Sequence, residues 1–435
     1  SDEEEAQAVP PQSPPLRILF IGNSFTYGPP PFDREDKLQL NNLPRFFKLV
    51  AESLGHGVQQ MEDTIGGCTL FMHMPSSNAE GCDADCALVD LPRVNGSEQC
   101  TVAAAIPKET LAPQYAPCPQ LLMRQPFGPW DVVVVQEQSI VPAVRETRAI
   151  YTMPAVAQIS EAYRRSAADA REQKPVVAAY MTWPYYNGSG GKCPDADRPG
   201  CFPLGNMSTL AGCGIADSLA STLASPACQA YALARGYAST LDHGADVLVP
   251  AGLAWLAARG APPIAKACRD AIDAEYEGER DYLADISLPI RVRNPEDARW
   301  DTLLAARSLY NYLGPNSNST YCTDGCDRDH HPSALSQYLN ACVFFATLFG
   351  KSPIGAAFPD GEKVVDGMTL PALLTQDDVA AATAVEARAG AGAAPPSGES
   401  ASAAMASAAA AMQRIAHDVV FRGGDGDRVW WRGQR

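Results

Sequence analysis

Arg17-Ile18-Leu19-Phe20-Ile21-Gly22-Asn23-Ser24-Phe25-Thr26-Tyr27-Gly28 is the stretch on which the reading of the fold rests. Ile18 to Ile21 is a short, unbroken apolar run. A run of that length with no polar alternation suits a strand covered on both faces, as in a parallel sheet. Gly22 follows at once, and glycine allows the sharp backbone turn that leaves such a sheet. Ser24 is thereby placed just beyond the carboxyl end of the strand, where open α/β sheets take their ligands. A serine there can be a nucleophile if a base reaches it. The plainer reading of the same stretch is a βα loop in which Ser24 only caps the next helix.

The rest of the chain repeats the pattern. Thr64-Ile65-Gly66-Gly67-Cys68-Thr69-Leu70 reads as a second strand end carrying a glycine pair. Two glycines let backbone N–H groups approach a ligand and hold an oxyanion, or they make an ordinary turn. Val132-Val133-Val134-Val135 is another buried strand, and Gln136-Glu137-Gln138-Ser139 stands at its carboxyl end. Val176 to Met181 and Ala245 to Pro250 complete the set. Thr182-Trp183-Pro184-Tyr185-Tyr186 would wall a cleft or pack beneath a loop. Helical spacing over 40–54, 147–172 and 216–236 supplies the intervening helices, with Pro44 in the first turn of its helix. The expected fold is α/β, a three-layer α/β/α sandwich on a parallel, flavodoxin-like sheet.

Size and charge narrow the function. The 435 residues suffice for a large core, and a formal charge of −16 argues against a nucleic-acid surface. No apolar run is long enough to span a bilayer. Ser1-Asp2-Glu3-Glu4-Glu5 is not a signal peptide, so a secreted chain would have lost its signal or carried it ahead of Ser1. We divide the chain into an acidic, Pro-rich leader (1–15), one domain over 16–388 with insertions at about 75–128 and 187–213, an Ala/Gly/Ser linker (389–412) and a C-terminal extension (413–435). The extension could dock on the domain or serve an assembly partner.

Thirteen cysteines bear on compartment. Nine lie in loop-like sequence: Cys82, Cys86, Cys100, Cys118, Cys193, Cys201, Cys213, Cys322 and Cys326. Glycosylation sequons at Asn95, Asn187, Asn206 and Asn318 fall in the same stretches. Together they favour a secretory environment with disulfide-bonded insertions. The rival is zinc at Cys82/Cys86 and Cys322/Cys326, where no histidine stands beside the first pair. Asp324, Asp327 and Asp329 would alternatively make a calcium site or a solvated acidic loop. Cys342, in an apolar helical stretch, is the candidate for a free buried thiol.

A histidine loop completes the chemistry. Asp327-Arg328-Asp329-His330-His331-Pro332-Ser333 runs into an apolar helix from Tyr338 to Phe349, with Ser333 as its N-cap. A serine hydrolase needs a nucleophile, oxyanion donors and a base oriented by a carboxylate. Ser24, the Gly66-Gly67 turn and this loop supply those types at one sheet edge.

These motifs resemble the SGNH (GDSL-like) hydrolase superfamily. Ile21-Gly22-Asn23-Ser24-Phe25-Thr26 looks like its first block, with Asn23 where many members carry aspartate. Gly66-Gly67 resembles the second block, and Asp327 to Ser333 the fifth. Gln136-Glu137-Gln138-Ser139 departs from the usual Gly-x-Asn-Asp third block, and a subgroup with Gln-Glu-Gln-Ser-like third blocks is the nearest match. The resemblance covers about 16–355 without the insertions, and implies Ser24 as nucleophile and Ser24 N–H, Gly67 N–H and Gln136 as oxyanion donors. His331, which precedes Pro332-Ser333, is taken as the base with Asp327 as partner; His330 and Asp329 remain the rival pair. The reaction implied is hydrolysis of a carboxylic ester in a small molecule or glycan, such as an O-acetyl group, or acyl transfer to a sugar, with no cofactor. The alternative is an inactive glycoprotein on the same scaffold, serving binding or assembly.

Overall fold

A computed structural model describes residues 14–28, 42–64, 69–74, 128–168, 175–185, 222–223, 225–260, 264–283, 308–312, 328–361, 363–374, 378 and 398–421. Its centre is a five-stranded sheet of β1 (Leu16–Gly22), β2 (Val58–Thr64), β3 (Val132–Val135), β4 (Val176–Tyr180) and β5 (Val247–Val249). The strand order is β2-β1-β3-β4-β5, and every neighbouring pair is parallel. This is the flavodoxin-like doubly wound order, whose switch point lies between β1 and β3. The carboxyl ends of those two strands are in register, Ile21 opposite Val135. They therefore deliver Ser24 and the Gln136-Glu137 dipeptide to the same edge.

Helices cover both faces, as the unbroken apolar strands require. After the single turn α1 (Ser24–Tyr27) comes α2 (Leu43–Ser53), capped by Asn42, whose Oδ1 accepts from Arg45 N–H at 3.0 Å. Asn42 Nδ2 and Arg45 Nη1 also donate to the buried Glu62 of β2, at 2.8 and 3.2 Å. Burial pushes the Glu62 carboxyl up, and Arg45 and Asn42 oppose that shift. Between β3 and β4 runs α3 (Met153–Ala168); α4 (Pro226–Ser239) leads to β5, and α5 (Ala251–Ala258) and α6 (Lys266–Ala274) follow it. Gly252 starts α5 hard against the end of β4: a Cβ there would lie 2.0 Å from the Thr182 carbonyl oxygen.

The expected apolar helix is α7 (Ala334–Phe349), packed on α2 and α5, and Ser333 is its N-cap as the sequence indicated. Phe344 of α7 meets Phe20 of β1, Phe47 of α2 and Tyr180 of β4 within 6.0 Å between ring centroids. Cys342 is buried and free among the described residues, and burial raises its thiol far above the ordinary range.

Two readings change. Residues 328–332, expected in a loop, form the short strand β7 (Arg328–Pro332), antiparallel to β6 (Tyr310–Tyr312). The non-local partner could not be inferred from the loop's own polar composition. The stretch 389–412, expected as a linker, contributes from Gly398 to helix α8 (Gly398–Phe421), which packs on α7 and α5. Alanine is the best helix former, so alanine-rich sequence folds as helix once one face finds an apolar surface. Ala408, Met412, Ala416 and Val419 supply that buried face. Gln413 fastens it, donating from Nε2 to Tyr338 Oη at 2.7 Å and to Ala356 O at 2.9 Å.

A disulfide joins Cys228 of α4 to Cys268 of α6. The nine loop cysteines and the four sequons lie outside the described residues, as do the leader over 1–13 and residues 422–435. Among the described residues, no helix is long and apolar enough to cross a membrane.

Candidate active site

Ser24 follows Asn23, the N-cap of α1, whose Oδ1 accepts from Phe25 N–H at 3.1 Å. The turn is held by β3's carboxyl end. Gln136 Oε1 accepts from Asn23 N–H and from Thr26 Oγ1, each at 2.9 Å. The Asn23 N–H can only donate, so it fixes which end of the carboxamide faces the turn. The amide nitrogen of Gln136 donates to Glu137 O. The oxyanion role expected of Gln136 therefore rests on its second amide hydrogen, while its oxygen clamps the Ser24 turn.

On the other side, α7 holds the same turn. Gln337 Nε2 donates to Phe25 O at 3.0 Å and to Thr26 O at 3.4 Å. Asn340 Nδ2 donates to Gln337 Oε1 and to Tyr180 Oη, each at 2.9 Å, and its Oδ1 accepts from Trp255 Nε1 at 2.9 Å. All of these side chains are buried. Gln337 was not singled out from the sequence. The available signal was a pair of amides three residues apart in an otherwise apolar helix, a spacing that puts both on one face.

The strand β7 brings the imidazole. His331 Nε2 lies 3.0 Å from Ser24 Oγ, with the two residues 7 % and 8 % exposed. The register Tyr310 opposite Pro332, and Ser333 N–H donating to Leu309 O at 3.1 Å, set the position of His331. His330 lies beside it, ring centroids 4.3 Å apart, against Phe25 at 5.7 Å and Tyr185 at 5.3 Å. Burial, and to a smaller extent His331, holds the His330 imidazole well below its usual range, so it stays neutral. Of Asp329 only the backbone, in β7, is described, and Asp327 and Gly67 lie outside the described residues.

Trp183 and Tyr185 of the aromatic cluster expected after β4 pack against this pair and its neighbour Phe25, while Tyr186 lies outside the described residues. Trp183 stacks on Trp255 with centroids 4.1 Å apart, approaches Phe25 at 4.9 Å, and donates from Nε1 to His330 O at 3.1 Å. Tyr185 remains half-buried next to His330. Burial pushes its phenol up to about 12. Ser139 adopts a left-handed φ of 44°, and its carbonyl oxygen accepts from Thr182 Oγ1 at 3.1 Å. Non-glycine residues hold such angles only where the surroundings enforce them, and they cluster at functional sites.

Fold and site together define a doubly wound α/β protein with a serine–imidazole pair at the carboxyl edge of its sheet. Comparison with protein-family models gives no match, and comparison with curated proteins gives none. Among solved structures, a 1.50 Å crystal structure of a DUF4886 family protein from Bacteroides uniformis ATCC 8492 aligns over 95% of this chain and 97% of its own. Its identity is 10% and its TM-score 0.45, too slight a likeness to carry an argument.

Proposed function

We propose that the protein is a serine esterase of the SGNH type, acting on a carboxylic ester of a small molecule or a glycan. The observation that carries this reading is the 3.0 Å separation of Ser24 Oγ and His331 Nε2 at the switch point of the sheet. With the His331 proton on Nδ1, Nε2 accepts the Ser24 proton as Oγ attacks the ester carbonyl. The tetrahedral oxyanion faces Ser24 N–H, at the first position of α1, ahead of the Phe25, Thr26 and Tyr27 amides that bond to Asn23. The second amide hydrogen of Gln136 adds a donor, and by the SGNH resemblance Gly67 N–H would complete the set. The imidazolium gives its proton to the departing alkoxide, leaving an acyl-serine and a free alcohol. Water, deprotonated by His331, then attacks the acyl-serine and releases the acid. By the SGNH resemblance, an aspartate of the 327–329 segment would be the group that orients the imidazole. The Cys228–Cys268 disulfide supports a secretory setting.

The test is hydrolysis of p-nitrophenyl acetate, with labelling by a fluorophosphonate probe. Wild-type protein is expected to turn over and to be labelled at Ser24, and Ser24→Ala to do neither. Equal rates for the two proteins would sink the reading.

A further inference from the structure

Glu137 is a buried carboxyl that the esterase chemistry leaves without a task. Its neighbour Gln136 holds the Ser24 turn through its side chain. Glu137 reaches the other way. Its Oε1 accepts from Leu70 N–H at 3.0 Å and from Gln138 N–H at 2.8 Å. Leu70 opens the 3₁₀ turn Leu70–His73, three residues after Gly67 in the chain. The Glu137 backbone is itself pinned, because Tyr237 Oη accepts from its N–H and donates to its carbonyl oxygen, each at 3.2 Å. One dipeptide at the end of β3 thus fastens two separate segments, the nucleophile turn and the turn that follows residues 65–68.

We propose that Glu137 is a positioning residue of this site: its carboxylate holds the Leu70 turn in the register that Gln136 sets for Ser24. The inference rests on the esterase reading and adds a second ionisation to it. A carboxylate accepts backbone N–H bonds about twice as strongly as a neutral acid does. The groups facing it are the two amides, the Thr152 hydroxyl and His73, all of which favour the charged form, with burial opposing them. His73 is in turn paired with the buried Asp63 of β2, Nδ1 to Oδ2 at 3.3 Å. Tyr237, whose phenol burial raises further, stays neutral and serves only as a hydrogen-bond partner. The balance leaves the Glu137 carboxyl raised to about 7, so the tie tightens across neutral pH.

The experiment compares wild type with Glu137→Gln, which keeps the shape and removes the charge. Two readouts are taken between pH 5 and 9: p-nitrophenyl acetate kinetics, and the Leu70 amide resonance in protein labelled with ¹⁵N-leucine. In wild type the Leu70 amide proton is expected to move downfield as pH rises through about 7, and in the variant to stay fixed. The variant is expected to lose about tenfold in kcat with KM within twofold. The acid limb of its kcat/KM profile should have a slope of one proton, against up to two in wild type. An unmoved Leu70 amide in wild type overturns the proposal even if the variant fails to fold. So does an active wild type matched by the variant in kcat and slope. A wild type that shifts at Leu70 but hydrolyses nothing overturns the esterase reading, and with it any positioning role in catalysis.

Discussion

Gly22 and Gln136 fit each other so closely that the first has no room for a side chain. A Cβ on Gly22 would lie 2.6 Å from Gln136 Oε1 and 2.8 Å from Thr26 Oγ1. Those are the two atoms that meet to hold the Ser24 turn. Gly22→Ala is expected to push the carboxamide off Asn23 N–H and to cost about 1–3 kcal/mol, the usual range for overpacking a core. Urea unfolding would measure this, and an unchanged midpoint would contradict it. Esterase activity should fall more steeply than stability, because the displaced atom positions the nucleophile.

Ser24 and His331 should behave as one unit. Ser24→Ala and His331→Ala are each expected to lower kcat about 10³-fold or more, and the double variant no further. Ser24→Ala should leave stability near that of wild type, whereas His331→Ala removes a buried imidazole packed on Phe25 and His330 and should cost about 1–3 kcal/mol, so kcat is compared on the folded fraction. Multiplicative losses in single-turnover kinetics would mean that the two groups act separately.

Glu137 links function to a stability cost. Its carboxyl is raised from 4.5 in the unfolded chain to about 7 in the fold. The folded state therefore holds the proton over a window in which the unfolded state has released it. The associated stability is full below about pH 4.5 and is lost as pH rises to about 7, a change on the order of 3 kcal/mol. Glu137→Gln should remove that slope and match or exceed wild type in stability at pH 8. Thermal melts at pH 5 and pH 8 test the sign. A wild type that gains on the variant with rising pH would refute it.

The Cys228–Cys268 bond closes a loop with a sequence separation of 40. Loop-closure entropy for that length is worth up to about 4 kcal/mol, with 2–4 kcal/mol typical of measured bonds. Cys228→Ser with Cys268→Ser should lose about that much, read from the denaturant midpoint. Because both cysteines lie on the α4–α6 side and Ser24 near α7, activity of the folded fraction should be retained.

How far the sequence reached depended on how local each signal was. The valine and isoleucine runs of β1, β3, β4 and β5 announce themselves, because a strand buried on both faces must be apolar throughout. The turn Gly22-Asn23-Ser24 is legible for the same reason, since it must end such a strand. Asn42, Gln337 and Gln413 gave no comparable signal. Their partners, Glu62, the Phe25 carbonyl and Tyr338, are 20 to 312 residues away.

By itself the chain determined a parallel α/β sheet and two reactive side chain types, a serine after the first strand and a histidine before the last large apolar helix. Only the tertiary structure decided that His331 and not its neighbour His330 stands at the serine. That choice is a one-residue matter of register on β7, set by pairing with β6 and by the capped start of α7. It also decided that Gln136 turns its oxygen to the Ser24 turn, that alanine-rich sequence folds as α8, and that Cys228 meets Cys268. Each of these depends on which distant surface is brought within contact range, and that is a property of packing rather than of any local stretch of residues.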